Sequence, residues 1–408
     1  MTSTIPDYAI IGDGRSCALI SRTGSIDFLC WPRFDSDACL MALLGDERHG
    51  HWLISPAGYV SETTRSYRED TAILKTEHVS DTGRVCVTDL MPWHDGASSI
   101  IRIVEGLEGE VEMTMSLRLR FGYGQIKPWQ QRHERGLIFE VGPDRIVLDS
   151  PIELTVTADE VSARFMLAKG AKVAFVLGYS PAAASLPSPL KVDALIRATE
   201  KAWKGWVGRF EAKCPWAGAV RRSLITLHML IDRDSGGIVA AATLGLPEIS
   251  GGSANWDYRY CWLRDSTFTL TALLNAGFHE EAPRWRDWIL RAVAGAPARM
   301  QIVYRIDGRR RLSEYELDGL PGYQGATPVR VGNAASGQTQ LDVFGELMDS
   351  FDVLAKAGIA RTPRVVELEI AIVQHLEKVW DQPSSDIWES RGEEQCYTYS
   401  QVMAWVGV

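Results

Sequence analysis

Paired cysteines, long apolar runs and clusters of basic residues are all missing from this sequence, and each absence argues against a class of protein. The seven cysteines are widely scattered and form no CxxC pair, which argues against both a disulfide framework and a structural zinc site. No stretch reaches the roughly 20 apolar residues of a membrane-spanning helix. The start, MTSTIPDYAIIGDGRS, lacks the basic and apolar regions of a secretory signal. We therefore expect a cytoplasmic protein that does not bind a membrane.

Charge and histidine content argue against further classes of ligand. The formal net charge is -9 and the basic residues form no run, which disfavours nucleic acid and anionic lipid as partners. The HEEA segment at His279 lacks the second histidine of a metalloprotease helix. In GDGRSC, Gly12 and Gly14 are followed by Cys17, where a dinucleotide-binding loop has a third glycine. We expect no metal and no cofactor, whereas a neutral ligand meets no electrostatic penalty.

The first half of the chain reads as β-strands. The segment VEMTMSLRLRF, residues 111–121, alternates strictly between apolar and polar side chains, as a half-buried antiparallel strand does. Similar short runs, among them ILKTEHVS and RVCVTDLM, recur between turn residues. Because 408 residues exceed one ordinary core, two or three domains are expected. We predict an N-terminal antiparallel β-sandwich over residues 1–188.

The pattern becomes helical after about Pro187. The segment LKVDALIRATEKAWKGWVGRFEAK predicts a helical linker over residues 189–214, and the hydrophobic spacing then changes to 3.6. Thr362-Pro363 has the order of a helix N-cap followed by a first helical residue. The six predicted helices lie near residues 220–231, 264–276, 281–294, 341–351, 363–380 and 396–405.

Three segments of the helical half concentrate aromatic, amide and charged residues: NWDYRYCWLRDSTFTL, GYQGATPVRVGNAASGQTQLD and DIWESRG. Aromatic rings beside hydrogen-bonding side chains are the lining that a sugar site requires. Each segment also has an ordinary interpretation. Arg264-Asp265 could be a salt bridge at a helix start, and Trp388-Glu389 could be a buried aromatic residue beside a solvated acid. Taken singly, these segments name no activity.

Taken together and in order, the motifs resemble glycoside hydrolase family 15, in its bacterial glucoamylase and trehalase-like branch. The resemblance begins with IPDYAIIGDGRSCALISRTGSIDFLCWPRFDS and LLGDERHGHW, continues through the first two segments, and ends with WESRG and YTYSQVMAW. It therefore spans nearly the whole chain. The family implies a β-sandwich, a helical linker and an (α/α)6 barrel whose loops bind a non-reducing-end glucosyl unit.

The resemblance also implies roles for individual residues. In the family, two glutamates invert the anomeric centre, with carboxyl groups about 6.5 to 9.5 Å apart. Glu389 matches the general acid, and a neighbouring tryptophan would raise its pKa by desolvation. Arg264 and Asp265 match a pair that clamps sugar hydroxyls, Trp388 would border that sugar, and Arg391 would fix the position of the acid. The remaining substrate-binding candidates are Trp262, Asn333, Gln338 and Arg330.

The sequence departs from its family after MAWVGV. The family's second glutamate lies beyond that helix, so we expect no general base in this chain. We also expect residues 215–408 to form the N-terminal half of the barrel and to expose apolar inner faces. The expected activity is release of glucose from α-glucans or maltooligosaccharides, the alternatives being hydrolysis of α,α-trehalose or an inactive remnant. No sequence feature fixes an oligomeric state.

Overall fold

The structure is a computed structural model that describes residues 3–94, 96–211 and 214–408. An antiparallel β-region is followed by a helical region, which confirms the predicted fold class. Residues 1, 2, 95, 212 and 213, which fall within the predicted sandwich and linker, lie outside the described residues. The strands of the β-region are β1 (Ala9–Gly12), β2 (Cys17–Ile20), β3 (Ser25–Cys30), β4 (Ala38–Leu40), β5 (His51–Pro56), β6 (Val60–Tyr67), β7 (Leu74–Ser80), β8 (Gly83–Leu90), β9 (Ser99–Arg118), β10 (Trp129–His133), β11 (Gly136–Val141), β12 (Asp144–Asp149), β13 (Thr155–Val156), β14 (Val161–Ala168) and β15 (Lys172–Pro181).

Strand β9 joins the two parts of the β-region because it is 20 residues long and changes partners midway. Its first half pairs with β8 and β15, and its second half pairs with β5 and β14. Gly109 lies at this change with a φ of 64°, and a Cβ there would lie 2.1 Å from the carbonyl oxygen of Thr82. The predicted alternation is also observed, since Met113 and Met115 are fully buried while Glu112 is exposed.

An ion pair sits inside the β-region. The side chains of Arg102 and Asp89 are fully buried, and Arg102 Nε donates to Asp89 Oδ1 at 2.8 Å. The other guanidinium nitrogens donate to the carbonyl oxygens of Trp52 and Gly24, each at 2.6 Å. The guanidinium therefore crosslinks β8, β5 and the turn before β3, and its loss would leave a buried carboxylate without its cation.

Replacing this arginine is expected to destabilise the protein strongly. Arg102→Met should lower the free energy of unfolding by about 3 to 5 kcal/mol, because Asp89 would stay buried and uncompensated. Urea denaturation followed by circular dichroism measures the change. Arg84→Met is the control, since Arg84 and Glu108 form a pair with largely exposed side chains, and it should cost about 1 kcal/mol or less. Equal costs for the two variants would contradict the role given to Arg102.

Helices dominate the rest of the chain. A one-turn segment, α1 (Phe121–Gly124), still belongs to the β-region. The longer helices are α2 (Val192–Val207), α3 (Ala217–Met229), α4 (Leu263–Asn275), α5 (Glu281–Ala292), α6 (Asp342–Lys356), α7 (Pro363–Val379) and α8 (Thr398–Val406). Short strands between them are β16 (Leu244–Pro247), β17 (Asn255–Asp257), β18 (Cys261–Trp262), β19 (Val303–Tyr304), β20 (Tyr315–Leu317) and β21 (Val329–Val331). All six predicted helices are present, as α3 to α8. The proposed domain bounds at 188/189 and 214/215 fall in connections between elements.

A buried arginine connects the β-region to the helical region. Arg259 is fully buried just before β18 and donates to both carboxylate oxygens of Asp257, at 2.9 and 2.8 Å. It also donates to the carbonyl oxygen of Ser36 at 2.6 Å and to the hydroxyl of Tyr123 at 3.2 Å. The segment that leads into α4 is therefore held by groups of the β-region.

The helices leave large apolar side chains in contact with solvent. Phe268 on α4, Ile370 on α7 and Trp405 on α8 are 60%, 52% and 78% exposed. Within the described parts of the chain, every helix is too short or too polar to cross a membrane.

Candidate active site

The carboxyl group of Glu389 lies in a half-buried position with two donors on one oxygen. Trp262 Nε1 donates to Glu389 Oε1 at 2.6 Å, and an Arg264 guanidinium nitrogen donates to the same oxygen at 3.3 Å. The side chain of Glu389 is only 13% exposed. Among the described residues, Oε2 has no hydrogen-bond partner. When the group is protonated, the proton therefore belongs on Oε2, because Oε1 already accepts from two donors.

Trp262 and Arg264 reach this carboxyl because β18 runs directly into α4. Trp262 ends β18, where it pairs with Val303, and it occupies the N-cap position of α4. Arg264 and Asp265 follow in the first turn, with the arginine donating to Asp265 Oδ2 at 3.2 Å. The same guanidinium donates to the carbonyl oxygen of Ile387 at 2.7 Å. The predicted arginine-aspartate pair and the predicted acid are therefore adjacent.

Glu389 has a backbone conformation that is rare for a residue with a side chain. Its φ is 60°, in the left-handed region. The turn is held by Asp386, whose carbonyl oxygen accepts from the Glu389 amide at 3.0 Å, and whose carboxylate accepts from the amide of Ser390 at 2.8 Å. Such strain costs on the order of 1 to 3 kcal/mol and persists at functional sites where surrounding contacts enforce it.

Two glutamine amides complete the support of this loop. Gln338 Nε2 donates to the carbonyl oxygens of Glu389 and Ser390, at 3.2 and 3.1 Å. Gln340 Nε2 donates to the carbonyl oxygen of Asp386 at 2.9 Å. Gln338 was predicted to bind substrate, and that role stays a prediction. In the structure, its amide nitrogen is committed to the backbone that carries Glu389.

Burial and charge act in opposite directions on the acid. Burial raises the pKa of Glu389, while the Arg264 charge and the Trp262 hydrogen bond lower it, and the net result is a raised pKa. Glu389 therefore keeps its proton to a higher pH than an exposed glutamate does. Tyr258, whose ring centroid is 5.4 Å from that of Trp262, has a pKa raised to about 12 by burial and by the charge of Glu389. Its hydroxyl therefore stays protonated beside the acid.

A cavity of about 310 Å³ opens in front of the carboxyl. Tyr258, Trp256 and Trp388 supply aromatic walls, while Glu248 and Gln338 supply polar ones. Trp388 is 85% exposed, so the ordinary interpretation of it as a buried aromatic residue is wrong. The tryptophan that contacts the acid is Trp262, which is 1% exposed.

Arg391 has a partner other than the one expected. Its guanidinium binds the carboxylate of Glu314 at 2.7 and 2.9 Å and stacks over Trp256 at 4.1 Å from the ring centroid. Arg330 lies over the same ring, at 4.8 Å. Arg391 therefore anchors the far end of the acid loop to the segment before β20, and it acts on Glu389 only through that loop.

Asn333 is a structural residue at the edge of the cavity. It is 3% exposed, and its side-chain oxygen accepts from the amide of Ala335 at 2.9 Å, which caps a short 3-10 helix over residues 334–337. Its amide nitrogen donates to the carbonyl oxygen of Asp257 at 3.4 Å. Both ends of the side chain are used by the protein backbone, and the contact expected with substrate stays a prediction.

Comparison with known proteins places these features in a family. Residues 216–408 match the profile of glycosyl hydrolases family 15, and residues 2–177 match that of the trehalase-like N-terminal domain. Trehalase 1 of Sulfolobus acidocaldarius is 33% identical over 404 residues, which cover 98% of this chain and 69% of that protein. The chain belongs to glycosyl hydrolases family 15.

Other family members are longer than this chain. A trehalase of Mycolicibacterium smegmatis is 33% identical over 436 residues, covering 99% of this chain and 65% of that protein. A trehalase of Thermoplasma volcanium is 30% identical and is covered over 64% of its length. The chain thus spans slightly less than two thirds of these relatives. A bacterial glucoamylase complexed with acarbose superposes with a TM-score of 0.68 at 11% identity, covering 100% of this chain and 66% of the glucoamylase, which shows the shared fold.

Two carboxyl groups close behind this family 15 site were not predicted from the sequence. Asp342 and Glu346 lie one turn apart on α6 and are 1% and 4% exposed. Both oxygens of Asp342 and one of Glu346 have no hydrogen-bond partner in the described residues. Glu346 Oε1 accepts from the hydroxyl of Tyr399 at 2.9 Å. The spacing of four residues on a helix was the available signal, and it gave no indication of burial.

Glu346 gives the protein a pH-dependent stability. Burial, then the charge of Asp342, raises its pKa to about 7 from 4.5. Between these values the folded state keeps a proton that the unfolded state has lost, so stability falls as pH rises and is constant above the folded pKa. The loss is on the order of 3 kcal/mol. Glu346→Gln should remove this loss of stability with rising pH.

Thermal unfolding at pH 5 and pH 8 tests this expectation. The difference in stability between Glu346→Gln and wild type should favour the variant more at pH 8 than at pH 5, because only wild type loses stability as pH rises. Glu367→Gln, at an exposed position of α7, is the matched control and should not show this difference. A Glu346→Gln effect that is the same at both pH values would contradict the assignment.

Proposed function

We propose that this protein hydrolyses α,α-trehalose with inversion, and that Glu389 is the general acid. The observation that supports the proposal is that both hydrogen-bond donors to the Glu389 carboxyl bind the same oxygen. Trp262 and Arg264 hold Oε1, which leaves Oε2 to carry the proton, and Glu389 lines the cavity. A proton donor must be within hydrogen-bond reach of the leaving oxygen, and an aromatic-walled cavity presents a sugar to it.

The same donors would stabilise the acid after the proton has moved. Glu389 Oε2–H would transfer its proton to the glycosidic oxygen as the bond between that oxygen and the anomeric carbon breaks. The resulting carboxylate would gain from the Trp262 and Arg264 hydrogen bonds, which strengthen when their acceptor is charged. Water would attack from the opposite face and lose its proton to a second carboxylate, the family's base. No described residue is assigned this second role.

Trehalose is favoured over α-glucan as substrate by the names of the relatives. The six curated relatives are all called trehalases, whereas the sequence analysis put α-glucans and maltooligosaccharides first and trehalose second. The glucoamylase similarity carries no weight here, because at 11% identity it concerns the fold. The cytoplasmic location stays a prediction.

The purified 408-residue protein should be assayed with trehalose, maltose, maltoheptaose and soluble starch. We expect glucose release to be fastest from trehalose. Proton NMR of the first turnover should show one α-glucose and one β-glucose, because inversion changes only the attacked ring. Two α-glucose molecules would contradict inversion, and faster hydrolysis of maltoheptaose would restore the α-glucan hypothesis. No hydrolysis of any of the four would favour the inactive remnant.

A further inference from the structure

The outer side of the β-region contains a second cavity, of about 1190 Å³, that the proposed reaction does not use. Its floor is formed by alternate residues of neighbouring strands. Ser25 and Asp27 of β3 lie beside Leu53 of β5, with Ser25 directly opposite Leu53 in the pairing register. The residues between them, such as Ile26 and Trp52, are fully buried in the core on the other side. The sheet thus turns an apolar face inward and a polar face toward the cavity.

This polar face differs from an ordinary solvated sheet surface because two of its histidine side chains are buried. His51 and His78, which both line the cavity, are 3% and 1% exposed. His78 Nδ1 is hydrogen-bonded to Thr63 Oγ1 at 3.0 Å, whereas its Nε2 is buried and has no partner among the described residues. Burial lowers the pKa of His78 to about 4, so its ring is neutral near pH 7. A buried, unpaired ring nitrogen is costly unless a ligand or solvent satisfies it.

Each of the three arginines that line the cavity is paired with a carboxylate, which disfavours an anionic ligand. Arg22 binds Asp7 at 3.2 Å and Arg48 binds Asp46 at 2.6 Å. The third arginine in the lining, Arg118, binds Glu160 at 3.2 Å. An anionic ligand would have to compete with these carboxylates for each arginine. Hydroxyl groups can instead share the paired donors and acceptors without displacing them.

The mouth of the cavity also carries an aromatic platform. Tyr59 is 71% exposed in the segment between β5 and β6, beside Gly58. On the floor, Asp27 accepts from the Tyr8 hydroxyl at 2.7 Å and from the Ser25 hydroxyl at 2.5 Å. An exposed ring above hydroxyl, imidazole and carboxylate groups can stack on the C–H face of a sugar while the floor binds its hydroxyls.

We propose that this cavity is a second saccharide-binding site, which takes a neutral oligosaccharide and is separate from the cavity at Glu389. The two linings share no residue: one is drawn from residues 3–118 and the other from residues 248–394. The binding site would hold a sugar without cleaving it, so its occupancy would be independent of Glu389. The proposal does not require the trehalose hydrolysis proposed above.

Hydrogen–deuterium exchange on the full Glu389→Gln chain tests the site without hydrolysis of the probe. Maltoheptaose and trehalose are added separately. Protection of residues 51–63 by either probe supports the proposal, and the comparison shows whether an α-glucan or the disaccharide is the better ligand. Protection confined to residues 255–265 and 384–392, or no protection by either probe, would overturn it.

Two variants in the same background distinguish this cavity from other surfaces. Tyr59→Ala should weaken binding of the protecting probe about fivefold or more. Gly58→Leu should narrow the mouth of the cavity and weaken binding by a similar factor. A Cβ at Gly58 would meet no atom within 4 Å, so the backbone can accept the side chain. Trp129→Ala is the matched control, since this 86% exposed ring on β10 lines neither cavity. Equal binding by all three variants would contradict the site. With Glu389 intact, Tyr59→Ala should leave trehalose hydrolysis within about twofold of wild type.

Discussion

Glu389→Gln is expected to lower kcat for trehalose by about a thousandfold, because glutamine cannot donate a proton to the glycosidic oxygen. The amide has nearly the same shape and can still accept from Trp262 and Arg264, so the fold and the cavity should persist. Initial-rate assays of glucose release, with circular dichroism of both proteins, measure the effect.

Glu393→Gln provides the matched control on the same loop. Glu393 is exposed, and its replacement should leave kcat within about twofold of wild type. A leaving group that needs no protonation, such as the fluoride of an α-glucosyl fluoride, should partly rescue Glu389→Gln. Trehalose hydrolysis at near-wild-type rates in Glu389→Gln would remove Glu389 as the acid, as would an equal loss in both variants.

Arg264→Met is expected to lower kcat/KM by about a hundredfold and to shift the pH profile. The guanidinium stabilises the Glu389 carboxylate and also fixes the acid loop through the carbonyl oxygen of Ile387. Removing this cation takes away an influence that lowers the pKa of Glu389. In the proposed mechanism the active form of Glu389 is protonated, so activity is lost as pH rises through that pKa. The loss of activity should therefore occur at higher pH in Arg264→Met, although the rate is lower.

The pH dependence of kcat/KM between pH 4 and 9 is the readout that separates this role from loss of structure. Arg391→Met is the control, because Arg391 binds Glu314 on the far side of the loop. Displacement of the loop is expected to slow this variant, but the alkaline limb of its pH profile should lie close to that of wild type. A shift of the Arg264→Met limb to lower pH would contradict the electrostatic role of Arg264.

The elements of the fold were predictable where their signals are local. Helix α7 begins where Thr362 and Pro363 placed it, because the Thr362 hydroxyl accepts from the amide of Val365 at 3.4 Å and the proline supplies the first helical residue. The alternation of the buried residues Met113 and Met115 with polar residues predicted β9, because this signal is also local. The switch of partners along β9 could not be predicted, since it depends on residues far away in sequence.

The members of the candidate site were predictable, but their contacts were not. Glu389 and Trp262 are 127 residues apart and meet only through tertiary packing. Adjacency in sequence suggested that Trp388 would shield the acid, yet in a left-handed turn consecutive side chains point in different directions. Trp388 is largely exposed and forms part of the cavity wall. Family resemblance named the residues, whereas the division into acid-contacting and loop-supporting side chains required coordinates.

Chimeras that combine the β-region of one relative with the helices of another would have to preserve the hydrogen-bond partners of Arg259. Its guanidinium takes acceptors from Ser36 and Tyr123 on one side of the junction and from Asp257 on the other. Swapping one side alone would keep the Arg259–Asp257 pair, but it would remove the Tyr123 hydroxyl wherever the incoming β-region has another residue at that position. Positions 123, 257 and 259 should therefore be inherited as a unit, whereas position 36 contributes only a backbone carbonyl oxygen that any residue supplies.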